Sequence, residues 1–176
     1  MNSTRDRLPA TITTDRLMLT TPTLAHVPEM AVLANSKAIH QVLSRLPHPY
    51  DESHGRFFVE HLARGPEEFA WSILLQGQYV GTMGLHLLPD LLPELGYWLG
   101  EPFWGRGIMT AVVRAVTNHA LTAPGFLRLE APVFAWNPAS MRVLEKCGYV
   151  REGVLRKSVF KDGEVIDSVL YAKVVP

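Results

Sequence analysis

Residues 95–113 read LGYWLGEPFWGRGIMTAVV, and the fold turns on how this stretch is parsed. Leu95–Leu99 is a short apolar run ending at Gly100, as a strand would. From Ile108 onward, Val112, Ala115, Val116 and His119 recur at helical spacing, so a helix follows and stops before Pro124-Gly125. Gly105 and Gly107 flank Arg106 in the turn between the two. Leu127, Leu129, Ala131 and Val133 then alternate, which predicts a further strand. Strand, helix and strand in succession form a right-handed crossover between parallel strands. Pro132 has no amide hydrogen, so its strand is expected to lose a neighbour near its end.

Outward from this unit the chain reads as hairpins and short helices. Arg16–Thr20 predicts a first strand, and a helix is expected from about Val27 to Asn35, with Pro28 in its first turn. A loop at 46–50 leads to Asp51, a plausible N-cap for a helix reaching about Ala63. Phe57, Phe58, His61 and Leu62 fall on one side of it. Phe69–Leu75 and Tyr79–Leu87 are strand-like and joined by Gln76-Gly77-Gln78. A helix from Pro138 to Cys147 stops at Gly148, and two last strands surround Lys161-Asp162-Gly163-Glu164. The expected order is β-α-α-β-β-β-α-β-α-β-β. That is a mixed α/β fold, a single layer of sheet with helices on its faces, in one domain over residues 1–176. Residues 1–10 are expected to be loosely ordered.

Composition narrows the partners. The 176 residues are 47% hydrophobic, enough for one real core. Lys+Arg and Asp+Glu are 17 each, and no polybasic run stands out, which argues against a broad grip on nucleic acid. Cys147 is the single cysteine, in keeping with a reducing compartment. Neither a signal peptide nor a membrane span is expected, so a cytoplasmic protein is.

Taken alone, the turn has two readings. Gly105 and Gly107 would let a ligand approach the backbone, the first helical amides lack internal partners, and Arg106 adds positive charge. Together these would cradle a phosphate. The other reading is a glycine-rich strand-to-helix turn with Arg106 in solvent. No Gly-Lys-Ser/Thr closes a Walker loop, and Thr110 stands where a dinucleotide fingerprint needs a third glycine.

A second element decides between them. GYWLGEPFWGRGIMTAVV is followed by VFAWNPASMRVLEKCGYVREG, at residues 133–153. The pair resembles the Gcn5-related N-acetyltransferase (GNAT) superfamily, in the branch that includes ribosomal-protein N-terminal acetyltransferases. DRLMLTTPT and DGEVIDSVLYAKV are also similar to that branch, so the resemblance runs from about Thr14 to Val175. It implies a mostly antiparallel sheet with one parallel pair splayed at the cofactor site, with acetyl-CoA as donor and an amine as acceptor. The family loop, Arg/Gln-x-x-Gly-x-Gly/Ala, falls on Trp104, Gly105, Arg106, Gly107, Ile108 and Met109. Trp104 and Met109 depart from it, but the loop binds mainly through backbone amides, here from Gly105 to Thr110. The resemblance also turns Asn137 and Ser140 toward the pantetheine arm and thiol. Locally, Asn137 also reads as an N-cap and Gly148 as a C-cap.

Transfer to an amine needs a base, a donor for the carbonyl oxygen and an acid. Glu94, at the head of the strand leading to the loop, is the candidate base, and a solvated carboxylate is its plain alternative. The resemblance implies that this strand bulges and diverges from Leu127–Val133. That would free a backbone amide at Trp98 or Leu99 for the oxyanion and explain Pro132 without a lost bond. The resemblance implies a tyrosine acid after the second motif, and the matching region here offers Ser140 instead, which is the candidate acid; Tyr149 is expected to pack. His86 could be a base or a core histidine, with core favoured, Cys147 reads as core, and no ligand spacing suggests a metal. Trp71, Trp98, Trp104 and Trp136 are candidates for the acceptor pocket or for core. The acceptor, a protein N-terminus or a small amine, would be met by residues 36–66 and the last hairpin. Exposed edges could support a homodimer. The alternative function is an acyl-CoA-binding sensor or interaction module without catalysis.

Overall fold

Alternating apolar residues and tight turns produce eight strands in a computed structural model that describes residues 4–87, 92–122 and 126–175. They are β1 (Ile12–Thr13), β2 (Leu17–Thr20), β3 (Glu68–Leu75), β4 (Gln78–His86), β5 (Glu94–Leu99), β6 (Arg128–Phe134), β7 (Val150–Lys161) and β8 (Glu164–Val174). The helices are α1 (Val27–Ala34), α2 (Lys37–His40), α3 (Glu52–Phe57), α4 (Ile108–Thr122) and α5 (Pro138–Lys146). The sheet order is β1-β2-β3-β4-β5-β6-β8-β7, and among the described residues only β5–β6 is parallel. The mixed, mostly antiparallel sheet expected from the sequence is therefore present.

The sheet has helices on both faces. On one, α4 buries Val112, Val113, Val116 and Ala120 against Leu95, Leu129 and their neighbours. Each large apolar side chain moved from water into such a core contributes roughly 1.5–3 kcal/mol. On the other, Met30 and Ala34 of α1 pack with Tyr50, Tyr79 and part of Trp98. Alternation fails once in a way that matters. Ile73 pairs with Gly81 but Leu74 pairs with Tyr79, so Val80 is an extra residue. The bulge puts Tyr79 and Thr82 on one face, where their hydroxyls lie 2.6 Å apart.

Local chemistry sets the helix ends. Asp51 accepts from the amides of Ser53 and His54 to start α3, and Asn137 accepts from Ser140 N to start α5. Beyond Phe57 the helix widens: Phe58–Leu62 is π-helical, with Ala63 N donating to Phe58 O at 2.8 Å. Two expectations change. Leu8 is buried and Pro9 O accepts from Trp71 Nε1 at 2.9 Å, so these two residues are packed rather than loose. The one-turn α2, capped by Ser36, is not expected from the sequence, because four residues carry no periodic pattern. The expected helix stop at Pro124-Gly125 lies outside the described residues.

Candidate active site

β5 is bonded very differently along its two edges. Against β4 it is in register over all six residues, from Gly81↔Leu99 to His86↔Glu94. Against β6 it has one pairing, Glu94↔Glu130, with Glu130 N donating to Pro93 O at 3.0 Å. Beyond that point the strands part. The expected divergence is present, but the expected bulge is not, since the β4–β5 register is unbroken. The split comes from the β6 side.

Backbone alternation then says which groups face the gap. Gly100 N donates to Val80 O at 2.9 Å, so Gly100 and, two residues back, Trp98 point their amides at β4. Tyr97 and Leu99 point theirs toward β6. Of the two amides considered from sequence, Leu99 faces the opening and Trp98 is committed to the ladder. On β6 the even residues face β5, as Glu130 does, so Pro132 presents its missing donor to the gap and no bond is lost.

The turn at the mouth of the gap presents backbone more than side chains. Gly105 and Gly107 both have φ +74, a conformation that favours glycine, and a Cβ on either would meet nothing within 4 Å. Conformation, not crowding, therefore calls for glycine here. Ile108 and Met109 bury their side chains in the core, so only their amides can serve a ligand. Those amides, with Thr110, form the first turn of α4 and have no acceptor within the helix. Arg106 is exposed, with its guanidinium 5.7 Å from the Phe103 ring centre. Trp104 is half exposed, and its indole N–H donates to Leu99 O at 2.6 Å. It ties the turn to the end of β5, a role the sequence does not suggest.

Across the gap stands α5. Asn137 spends its side-chain oxygen on the cap, which leaves its –NH2 as the part able to face a ligand. Ser140 Oγ lies 2.7 Å from Tyr97 Oη. A tyrosine is therefore present at this point, but it comes from β5, 43 residues before the serine. Burial raises its pKa well above the ordinary tyrosine value, against the bond from Ser140. Tyr149 packs as expected, with its hydroxyl 2.8 Å from Thr117 Oγ1. Cys147 is buried, and burial pushes its thiol pKa up, as for a core residue.

The gap opens on the opposite face into a cleft of about 640 Å³. Part of its floor is the pair Gly84–Gly96, facing each other across β4 and β5 and carrying no side chain. The next row along is Glu68–His86–Glu94. Glu94 is expected there from the sequence; Glu68 is not. The latter leans over the floor: a Cβ on Gly84 would lie 2.8 Å from its Oε1. Burial raises the Glu68 pKa, and Arg45 partly opposes this. His86 is a correction, for it lines the cleft rather than the core. Arg45 Nη1 is 3.0 Å from its Nδ1. Arginine has no acceptor, so Nδ1 accepts and the ring proton sits on Nε2. Burial and then Arg45 depress the His86 pKa, favouring this neutral ring.

Of the four tryptophans, Trp98 alone lines this cleft. Trp71 is core. Trp136 donates to Gln41 O at 3.1 Å and borders a neighbouring hollow with Lys161 and Asp162 of the last hairpin. His40 Nε2, 3.0 Å from Asp162 Oδ2, joins that hairpin to α2. Among the described residues, no three His, Cys, Asp or Glu converge as a metal site.

A family model for the acetyltransferase (GNAT) domain matches residues 16–150. The chain belongs to the GNAT acetyltransferase family. The uncharacterized N-acetyltransferase YoaA of Bacillus subtilis (strain 168) is 35% identical over 101 residues, 56% of this chain and 57% of YoaA. The ribosomal-protein-serine acetyltransferase of Escherichia coli (strain K12) is 27% identical over 105 residues, 58% of this chain and 59% of that one. The chain thus spans little more than half the length of these GNAT relatives. Among solved structures, the microcin C7 self-immunity acetyltransferase MccE, in complex with acetyl-CoA and AMP, superposes with a TM-score of 0.86. That match covers 97% of this chain and 99% of MccE at 22% identity, a likeness of fold. The splayed parallel pair and the glycine turn are thus parts of a GNAT fold.

Proposed function

We propose that this protein transfers an acetyl group from acetyl-CoA to a primary amine by direct attack in a ternary complex. The observation that carries this reading is the single β5–β6 pairing beside a positive-φ glycine turn at the start of α4. It supplies a slot between strands with an anion seat at its mouth. The residues present suit the cosubstrate. The amides of Gly105–Thr110 would hold its pyrophosphate, and the gap walled by Leu99 and Asn137 would hold its pantetheine arm. Acetyl-CoA would supply the activated thioester.

The chain's own groups would do the rest. Glu94 stands where the strands part and lines the cleft, placed to take the proton from an incoming ammonium. The Leu99 amide faces the gap, ready to donate to the carbonyl oxygen as charge develops. Ser140, held by Tyr97, would return a proton to the departing thiolate. The acceptor is a small amine or a protein N-terminus, the latter supported by the relative named for ribosomal-protein serine acetylation. A cytoplasmic setting is part of the proposal, supported by the lone cysteine.

The test is thiol release from acetyl-CoA across a panel of amines and peptides, for the wild type and Glu94→Gln. The expected result is turnover with at least one amine, and a loss of roughly 10²–10⁴-fold in Glu94→Gln with acetyl-CoA binding retained. Tight acetyl-CoA binding with no amine acetylated would leave a non-catalytic binder and sink the enzyme reading.

A further inference from the structure

The cleft has an acidic row and a mostly apolar stretch. At one end of its floor sits the row Glu68–His86–Glu94. The backbones of the two glutamates are two strand spacings apart, roughly 10 Å. The apolar stretch comes from the end of α3 and the loop after α2, with Leu46, Phe57, Phe58 and Leu62 beside the polar Arg45 and His54. One feature separates this stretch from ordinary core: Phe57 is 55% exposed and Leu62 is 44% exposed, and both line the cleft. Exposed apolar surface lining a concave site marks a place where a ligand's own apolar surface is buried.

Resting on the acetyltransferase reading above, we infer that the acceptor is a primary amine bearing a bulky apolar group next to the amine-bearing carbon. Its ammonium faces Glu94 and its apolar group lies against Phe57 and Leu62. The bare floor at Gly96, where a Cβ would meet nothing within 4 Å, gives the connecting carbons room. A short hydrophilic amine reaches Glu94 equally well but leaves the apolar stretch wet, so it gains less from the same site. The same chemistry is carried by an aryl-alkylamine and by an N-terminal phenylalanine or leucine, and the experiment separates the two.

The probes are 2-phenylethylamine, ethanolamine, and tetrapeptides beginning with Phe or Ser. The expected result is a kcat/KM at least about tenfold higher for the apolar member of one pair or both, the size a few buried methylenes give. The pair showing the larger preference tells small amine from peptide. Phe57→Ser and Leu62→Ser are substitutions at exposed positions. Each should cut the preference severalfold through the amine KM and leave the KM for acetyl-CoA unchanged. Equal or better use of ethanolamine and the Ser peptide overturns the inference while leaving the acetyltransferase reading standing. So does an unchanged preference in both variants. Calorimetry of each amine with the protein–CoA complex decides the case without turnover. Tighter binding of 2-phenylethylamine, lost in Phe57→Ser, supports the apolar contact even if the reaction fails. Equal binding within both pairs, the amines and the tetrapeptides, overturns it.

Discussion

The two sides of the site are made of different material. The glycine-turn side is backbone from one continuous run, Leu99 to Thr110, whose shape is set by two positive-φ glycines and a helix start. The cleft side is made of side chains from α1, the 42–62 segment, four strands and α5, brought together by sheet register and helix packing. On the proposed function, a backbone seat would tolerate exchange of most of its side chains, Trp104 and Met109 included. A side-chain cleft has no such tolerance, so it is where one member of a fold family differs from the next. The contrast also predicts independence: a change on one side should be felt by one substrate only.

Among changes that tell the two sides apart, the largest expected effect is on the backbone side. Gly107→Ala forces a side chain onto φ +74, worth roughly 1–2 kcal/mol, so acetyl-CoA should bind roughly five- to thirtyfold more weakly by calorimetry. The amine KM should stay put. Gly96→Val is the mirror experiment. A Cβ there meets nothing within 4 Å, so the strand tolerates it while the cleft floor fills. The amine KM should rise roughly tenfold with acetyl-CoA affinity intact. If Gly96→Val also weakens acetyl-CoA, the two sides are not independent and the comparison breaks.

Tyr97→Phe probes the seam between them. Losing one hydrogen bond to Ser140 should lower kcat by roughly two- to tenfold, with both KM values little changed. A kcat equal to the wild type would remove Ser140 and its tyrosine from the proton path. The smallest effect is on stability. Burial raises the Glu68 pKa above its ordinary 4.5, so its protonated form is favoured in the fold. The stability this contributes is present below pH 4.5 and is lost as pH rises through the folded value. At neutral pH the carboxylate is therefore a cost. Glu68→Gln should raise the melting temperature by a few degrees at pH 7.5, a gain that vanishes on acidification below the ordinary glutamate pKa. A lower melting temperature at pH 7.5 would mean that attraction to Arg45 outweighs burial.

Much of the molecule is legible in its amino-acid sequence. Every long element is, because period-2 and period-3.6 patterns and the Asp51, Asn137 and Gly148 caps are local properties of the chain. Glu94 is legible as well, since it heads the strand that runs into the turn. Glu68 is not. Its place beside Glu94 follows from two strand pairings, and nothing in the run EEFAW marks that glutamate. Tyr97 is hidden for a related reason, as its partner lies 43 residues away on a helix that only packing brings near. His86 reads as core because a histidine in an apolar strand usually is, and only the approach of Arg45 shows it lining a cleft.

What sequence alone settles here is the backbone: where the chain must turn, where glycine is needed for a left-handed conformation, and where a helix begins with unpaired amides. Those features are decided by a residue and its near neighbours. Tertiary packing settles which amide of β5 faces the opening, which carboxylates share a row, and which apolar residues wall the cleft. Each of these depends on the register between strands and on how α3 lies over the sheet, and register is a relation between distant segments that no single stretch of sequence contains.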